Sequence, residues 1–222
     1  IAKILAMAHR KPVQREVLME ILWPGIAPAI ANNRLKVAMY SLRSLFDGSV
    51  CGSGRRPLII YSEGCYAYNP EVPLWVDVEA FESCWQTGLA LTQLGRLDDA
   101  AVCLSQAEQL YQGDFLEEDR YEEWTLLRRE ELRGIYLAIL DKLSCHWYQH
   151  GQTDQAAEGW RRILAIDPWR EDVYRHLMVS LARSGNRGQA LRWYQTCRRI
   201  LLRELGIEPE PETTSLYEHI LK

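Results

Sequence analysis

Residues 29–46 read AIANNRLKVAMYSLRSLF. Leu35, Met39, Leu42 and Phe46 follow a 4, 3, 4 spacing, so they share one stripe of a helix. The opposite face carries Asn33, Val37, Tyr40 and Ser44. Arg34 and Ser41 flank it on one side, Lys36 and Arg43 on the other. No acidic residue occurs from Asn32 to Ser44. A solvated helix ordinarily mixes both charge signs, whereas this one offers amides, hydroxyls and cations around one exposed valine. Such a face suits a DNA major groove, where amides read adenine, Arg and Lys read guanine or hold phosphate, and an apolar group meets a thymine methyl. The plainer reading is a helix packed into a larger domain with a mildly basic face.

On the N-terminal side, IAKILAMAH at 1–9 predicts a short helix with Ile1, Ile4, Leu5 and Ala8 on one side. Arg10-Lys11-Pro12 breaks it, because proline removes a donor and restrains the residue before it. A second helix is expected over Gln14 to Trp23, with Val17, Leu18, Ile21 and Leu22 as its stripe. Trp23-Pro24-Gly25 stops it, and Pro28 precedes the third helix. Three helices with short connections, the last amphipathic and basic, fit a helix-turn-helix. On the C-terminal side, SVCGSGRR is a polar turn, followed by LIIYSEGCYAYN. Leu58 to Tyr61 and Cys65 to Tyr68 are β-branched and aromatic runs, and Ser62-Glu63-Gly64 between them signals a hairpin.

REVLMEILWPGIAPAIANNRLKVAMYSLRSLF followed by LIIYSEGCYAYN resembles the winged helix of OmpR/PhoB-type response regulators. The resemblance implies that the third helix enters the major groove and the hairpin touches the adjacent minor groove. Carried over by position, it implies base and phosphate contacts from Asn32, Asn33, Arg34, Lys36, Tyr40, Ser41, Arg43 and Ser44. Arg55 and Arg56, before the hairpin, would add backbone contacts. Two departures stand out. The family's small β-sheet before the first helix is missing, and Glu63 at the hairpin tip should repel phosphate. Val37 has two readings, packing against a neighbouring element or meeting a base.

Charge is divided unevenly. Residues 1–56 hold nine Lys and Arg against Glu16, Glu20 and Asp47, a net +6; residues 57–222 hold seventeen bases against twenty-seven acids, a net −10. A basic head on an acidic body points to a polyanion partner at the head and to solubility or protein contacts in the body. Hydrophobic content of 47% supplies a core, yet no apolar run nears the roughly 18 residues a membrane span needs. No membrane partner is expected. Lys3, His9, Arg10 and Lys11 interrupt any signal-peptide pattern. The six cysteines, at 51, 65, 84, 103, 145 and 197, form no C-x-x-C pair, so most of them read as small core hydrophobes of a reducing, cytoplasmic compartment. The start at Ile1, without an initiator Met and inside a helical pattern, reads as part of a longer protein.

After a proline-containing linker from Pro70 to Trp75 the pattern changes. GRLDDAAVCL at 95, GQTDQAAEGW at 151 and GNRGQALRWY at 185 each place Gly, a polar turn and then Ala at a helix start. Gly151 to Gly185 is 34 residues, the tetratricopeptide period. That framing puts Leu143, Trp147, Ala156, Trp160 and Ile163 on packing positions, and Leu177, Leu181, Ala190, Tyr194 and Cys197 in the next unit. Small Ala at a crossing lets helices approach, and aromatics fill the groove between pairs. Glu117 to Gln149 predicts one long helix, with Glu117, Glu118, Asp119, Glu122 and Glu123 complementing its N-terminal dipole. Gly206 should end a helix, and Glu208-Pro-Glu-Pro-Glu bridges to a last one over Glu212 to Leu221.

VDVEAFE at 76–82, LYQGDFLEE at 110–118, the repeats and the closing LLRELGIEPEPETTSLYEHIL resemble the bacterial transcriptional activation domain. That domain follows a winged helix in SARP-type regulators, the AfsR and EmbR group. The expected fold is therefore mainly α: a winged helix-turn-helix over 1–75, then an all-α tetratricopeptide-like domain over 76–222. The resemblance implies a transcription regulator that binds double-stranded promoter DNA, with the body serving homodimerisation or contact with RNA polymerase. The rival reading is a protein-interaction or sensor module of a larger signalling protein, whose winged helix binds no DNA.

No Ser-His-Asp motif or Gly-rich phosphate loop appears, so no catalytic residue and no cofactor is expected. His146 and His150 stand four apart, but Trp147 replaces the Glu of H-E-x-x-H and no third ligand is evident, so they read as surface or packing histidines and no metal is expected. Trp124, Trp147, Tyr148, Trp160, Trp169, Trp193 and Tyr194 read mostly as core between helices, and the pairs Arg128-Arg129, Arg161-Arg162 and Arg198-Arg199 as solvated faces.

Overall fold

The computed structural model describes residues 1–8, 11–48, 56–119 and 121–222, with the backbone alone at 47 and 48. The protein is mainly helical. The chain divides into two compact units, Ile1–Glu79 and Ala80–Lys222.

In the first unit α1 spans Ala2–Met7, α2 Arg15–Leu22 and α3 Pro28–Gly48. Ile4 and Leu5 are the buried residues of α1. The turn between α2 and α3 is closed by Gly25 at φ +73°, and Pro28, which needs no N–H in the first turn, opens α3. Leu35 and Met39 of the expected stripe are buried, Leu42 is half-buried, and Phe46 is exposed near the helix end. In α2 the expectation needs correction: Val17 is 44% exposed, and Leu18 and Met19 are the buried pair.

The hairpin forms as β2 (Ile59–Ser62) and β3 (Cys65–Tyr68), paired antiparallel with Ser62 opposite Cys65. Glu63 at φ +51° and Gly64 at φ +79° make the two-residue turn, whose left-handed pair matches the strand twist. A third strand was not expected. Val13–Gln14, of which Gln14 reads from sequence as the start of a helix, forms β1 and pairs with the free side of β3, Val13 opposite Tyr66. Two residues are too few to show alternation, so only the partner defines this strand. Asn69 closes the hairpin base. Its Nδ2 donates to the Pro57 carbonyl and its Oδ1 accepts from the Glu71 N–H, both at 3.0 Å.

The second region is all helical among the described residues: α4 Asp77–Gln93, α5 Leu97–Leu110, α6 Glu123–Gln149, α7 Thr153–Ile166, α8 Glu171–Arg183, α9 Arg187–Glu204 and α10 Pro211–Leu221. The three glycines of the repeat do one job. Gly95, Gly151 and Gly185 sit at φ +73°, +76° and +78° just past α4, α6 and α8. Each lets the following N–H reach back into the last turn, as Gln152 to the Trp147 carbonyl and Asn186 to that of Leu181, both at 2.8 Å. The chain then reverses into the next helix. Leu143, Ala156, Trp160, Ile163, Leu177, Leu181, Ala190, Tyr194 and Cys197 are all buried as the repeat framing requires, and Trp147 is half-buried.

Three expectations change here. Glu117–Asp119 form a separate 3-10 turn, so only Glu122 and Glu123 lie at the start of α6. Arg129 is not on a solvated face. It is 5% exposed and donates to the carbonyls of Phe115 (2.9 Å) and Leu116 (3.1 Å), holding the 111–119 loop over α6. Leu116 adopts φ +48° inside that loop, a costly conformation for a branched side chain. Trp169 is exposed rather than core, its indole N–H donating to Glu204 at 3.0 Å.

Candidate nucleic-acid interface

The outer face of α3 is built by the same periodicity that buries Leu35 and Met39. Asn33, Arg34, Lys36, Val37, Tyr40, Ser41 and Ser44 are all exposed, Val37 at 67% and Tyr40 at 77%. Val37 therefore packs against no element among the described residues of the first unit. Among the described residues no acid pairs with Arg34 or Lys36. A valine and a tyrosine standing in water among unneutralised cations are stable only at a cost in apolar exposure, which burial in a groove would recover.

Two expected contact residues sit deeper. Asn32 is half-buried, and its Oδ1 is shielded from solvent with no donor among the described residues. Arg43 is half-buried, and its Nε–H is shielded from solvent with no acceptor among the described residues. Burial, then Tyr61, pushes the Tyr66 phenol up, while the Arg43 charge pulls it down. Arg56 is exposed but paired with Glu71 at 3.0 Å. Arg55 lies outside the described residues. The hairpin tip carries exposed Glu63. Tyr61 and Tyr66 lie side by side on the sheet, ring centroids 4.6 Å apart.

The helical body has a polar recess of its own, lined by Tyr111, Asp114, Arg133, Tyr136, Arg162 and Ile166 among others. Arg133 grips Asp114 through Nη2 at 2.5 Å and Nε at 3.2 Å, and Tyr111 donates to the same carboxylate at 3.2 Å. The Arg133 hydrogen bond holds the Asp114 carboxyl below its ordinary range. Burial, then Asp114, pushes the Tyr111 phenol up to about 12. Tyr111 stacks on Tyr136 with centroids 4.0 Å apart, and Arg162 donates to Glu108 at 2.6 Å. Sequence reading missed this network, although LYQGD and the Arg pair at 161–162 were its visible parts. The described cysteines are free thiols. Burial raises Cys145 to about 11 and Cys197 to about 12, so neither is a ready thiolate. No described helix is long and apolar enough to cross a membrane.

Residues 76–221 match the model of the bacterial transcriptional activator domain, and the chain belongs to that family. It is similar over 219 residues, at 23% identity, to the transcriptional regulatory protein MoaR1 of Mycobacterium bovis, covering 99% of this chain and 70% of that one. It is 27% identical over 221 residues to the regulatory protein DnrI of Streptomyces peucetius, covering 99% and 81%. In fold it is similar to Mycobacterium tuberculosis EmbR, solved in complex with a low affinity phosphopeptide. The TM-score is 0.80 at 22% identity, over 99% of this chain and 58% of that one.

Proposed function

We propose that the chain is a DNA-binding transcription regulator whose α3 lies in the major groove of promoter DNA. Its first unit then acts as a winged helix, with β2–β3 as the wing. The observation that carries this reading is the outer face of α3, where Val37 and Tyr40 stand exposed among Asn33, Arg34, Lys36 and Ser41 with no acid paired to Arg34 or Lys36 among the described residues. The name of MoaR1 as a transcriptional regulatory protein supports it. Arg34 and Lys36 hold phosphate or guanine, Asn33 is the amide reader, and Val37 is the apolar contact. The helical body is the protein-contacting part, for a second protomer or RNA polymerase. Tyr121, Leu126 and Leu127, exposed around the start of α6, are apolar surface for that contact.

The test is binding of the protein to duplexes from its own upstream promoter and to random duplexes, over a salt series. The expected result is a sequence preference with a log–log salt slope steeper than about −3. Binding that ignores sequence, or none at low salt, would move the first unit to protein docking. The acid at the hairpin tip and the pairing of Arg56 with Glu71 favour that second reading.

A further inference from the structure

The C-terminal end of α6 and the first turn of α5 bring together three side chains of which sequence spacing shows only two. His146 and His150 lie one helical turn apart, their ring centroids separated by 4.2 Å. Asp98 of α5 faces both. Its Oδ1 is 3.4 Å from His150 Nε2 and 3.9 Å from His146 Nε2. One ligating atom from each residue lies within 4.8 Å of the other two.

The protonation pattern of His150 matters. Its Nδ1 is 2.9 Å from the His146 carbonyl oxygen, a contact that only an N–H satisfies. In the neutral ring Nε2 is then a lone pair, and it lies 3.4 Å from a carboxylate oxygen that also has only lone pairs to offer. Either a proton on Nε2 or a metal ion held between the two atoms resolves the opposition. A backbone carbonyl fixing Nδ1–H is also the arrangement that orients metal-bound imidazoles. Two histidines at i, i+4 on one helix face provide the spacing for a shared metal. With bonds of about 2.0–2.1 Å, a tetrahedral zinc site has ligand edges of about 3.3 Å. The 3.4 Å edge already fits. The 3.9 Å edge closes by a small rotation of Asp98, which is 85% exposed at its side chain and free to adjust.

We propose that Asp98, His146 and His150 bind one divalent transition-metal ion of the zinc class, with water in the fourth position. The ion would tie the start of α5 to the end of α6. A second group, Asp141, Cys145 and His176, also clusters within 4.8 Å. There Arg170 Nη2 already sits 3.7 Å from Asp141, and a cation beside the carboxylate opposes a metal. That group serves as the control.

The experiment titrates zinc chloride into the full chain, kept reduced in a non-coordinating buffer, by calorimetry, and repeats the titration with cobalt(II) followed by absorption. The expected result is one zinc per chain. Asp98→Asn and His150→Ala, both at exposed positions, should each weaken it by about tenfold or more, and His176→Ala should leave it unchanged. Cobalt should give tetrahedral d–d bands without a thiolate charge-transfer band. No binding, full affinity in Asp98→Asn, loss in His176→Ala, or a thiolate band would each overturn the site.

Discussion

Gly159→Ala is expected to loosen the α6–α7 pair. A Cβ built on Gly159 lies 2.1 Å from Ser144 Oγ and 3.4 Å from both Ser144 Cβ and the Trp147 ring. Ser144 is itself fully buried and donates to the Leu140 carbonyl at 2.7 Å, so its hydroxyl has little room to turn away. Overpacking of this kind costs about 1–3 kcal/mol. Replacing Gly by Ala inside a helix returns about 0.5–1 kcal/mol. The net destabilisation is therefore up to about 2.5 kcal/mol, centred on about 1 kcal/mol. Gly134 in α6 is the internal control, since a Cβ there meets nothing within 4 Å; Gly134→Ala should stabilise by the propensity gain alone. Adding Ser144→Ala removes the one severe contact and leaves ordinary ones, so Gly159→Ala/Ser144→Ala should recover most of the loss. The assay is urea unfolding followed by far-UV ellipticity, read as a midpoint shift at constant m. If Gly159→Ala matches Gly134→Ala, or the Ser144 change gives no rescue, the close crossing at Gly159 is not what sets this packing.

Arg34→Ala and Lys36→Ala should each weaken promoter binding and flatten the salt slope by about one, measured by fluorescence anisotropy; an unchanged slope removes that residue from the phosphate contacts. Glu63→Lys should steepen the slope by about one if the hairpin tip lies beside the minor groove, and leave it unchanged if the tip is clear of DNA. Asp114 is held below its ordinary value of 3.8 by Arg133, so its contribution to stability is present above that value and is lost as pH falls through the lower, folded one. The acid limb of melting temperature against pH should accordingly be shallower in Asp114→Asn, and an identical limb would show that the Arg133 contact adds nothing.

Much of the architecture was legible because its causes are local. The left-handed turns at Gly95, Gly151 and Gly185 need a residue without Cβ, and so the repeat shows as a recurrent glycine. The inner stripe of α3 showed as a period near 3.6, and the hairpin as two β-branched and aromatic runs around Glu63-Gly64. The site was legible in part. Periodicity assigned Asn33, Arg34, Lys36, Val37, Tyr40 and Ser41 to an exposed face, because on a helix the outside is fixed once the inside is known. The same period places Asn32, three before Leu35, and Arg43, four after Met39, beside the inner stripe, where they are half-buried, whereas no local pattern shows that Arg56 is paired with Glu71.

Local sequence was enough for the helices of the repeats, the inner stripe of α3 and the division of charge between head and body, but not for the apolar face of α2 or the start of α6. The former follow from dihedral preference, side-chain period and composition within a few residues. The remaining features depend on the folded neighbourhood. Val13 becomes a strand because Tyr66, 53 positions on, offers it a free edge. Arg129 is buried because the Phe115 and Leu116 carbonyls need a donor. Gly159 is required because Ser144 lies on the facing helix. Asp98 joins His146 and His150 because α5 packs beside α6. Each is a contact between residues distant in sequence, and its energy depends on a neighbour that no local pattern encodes.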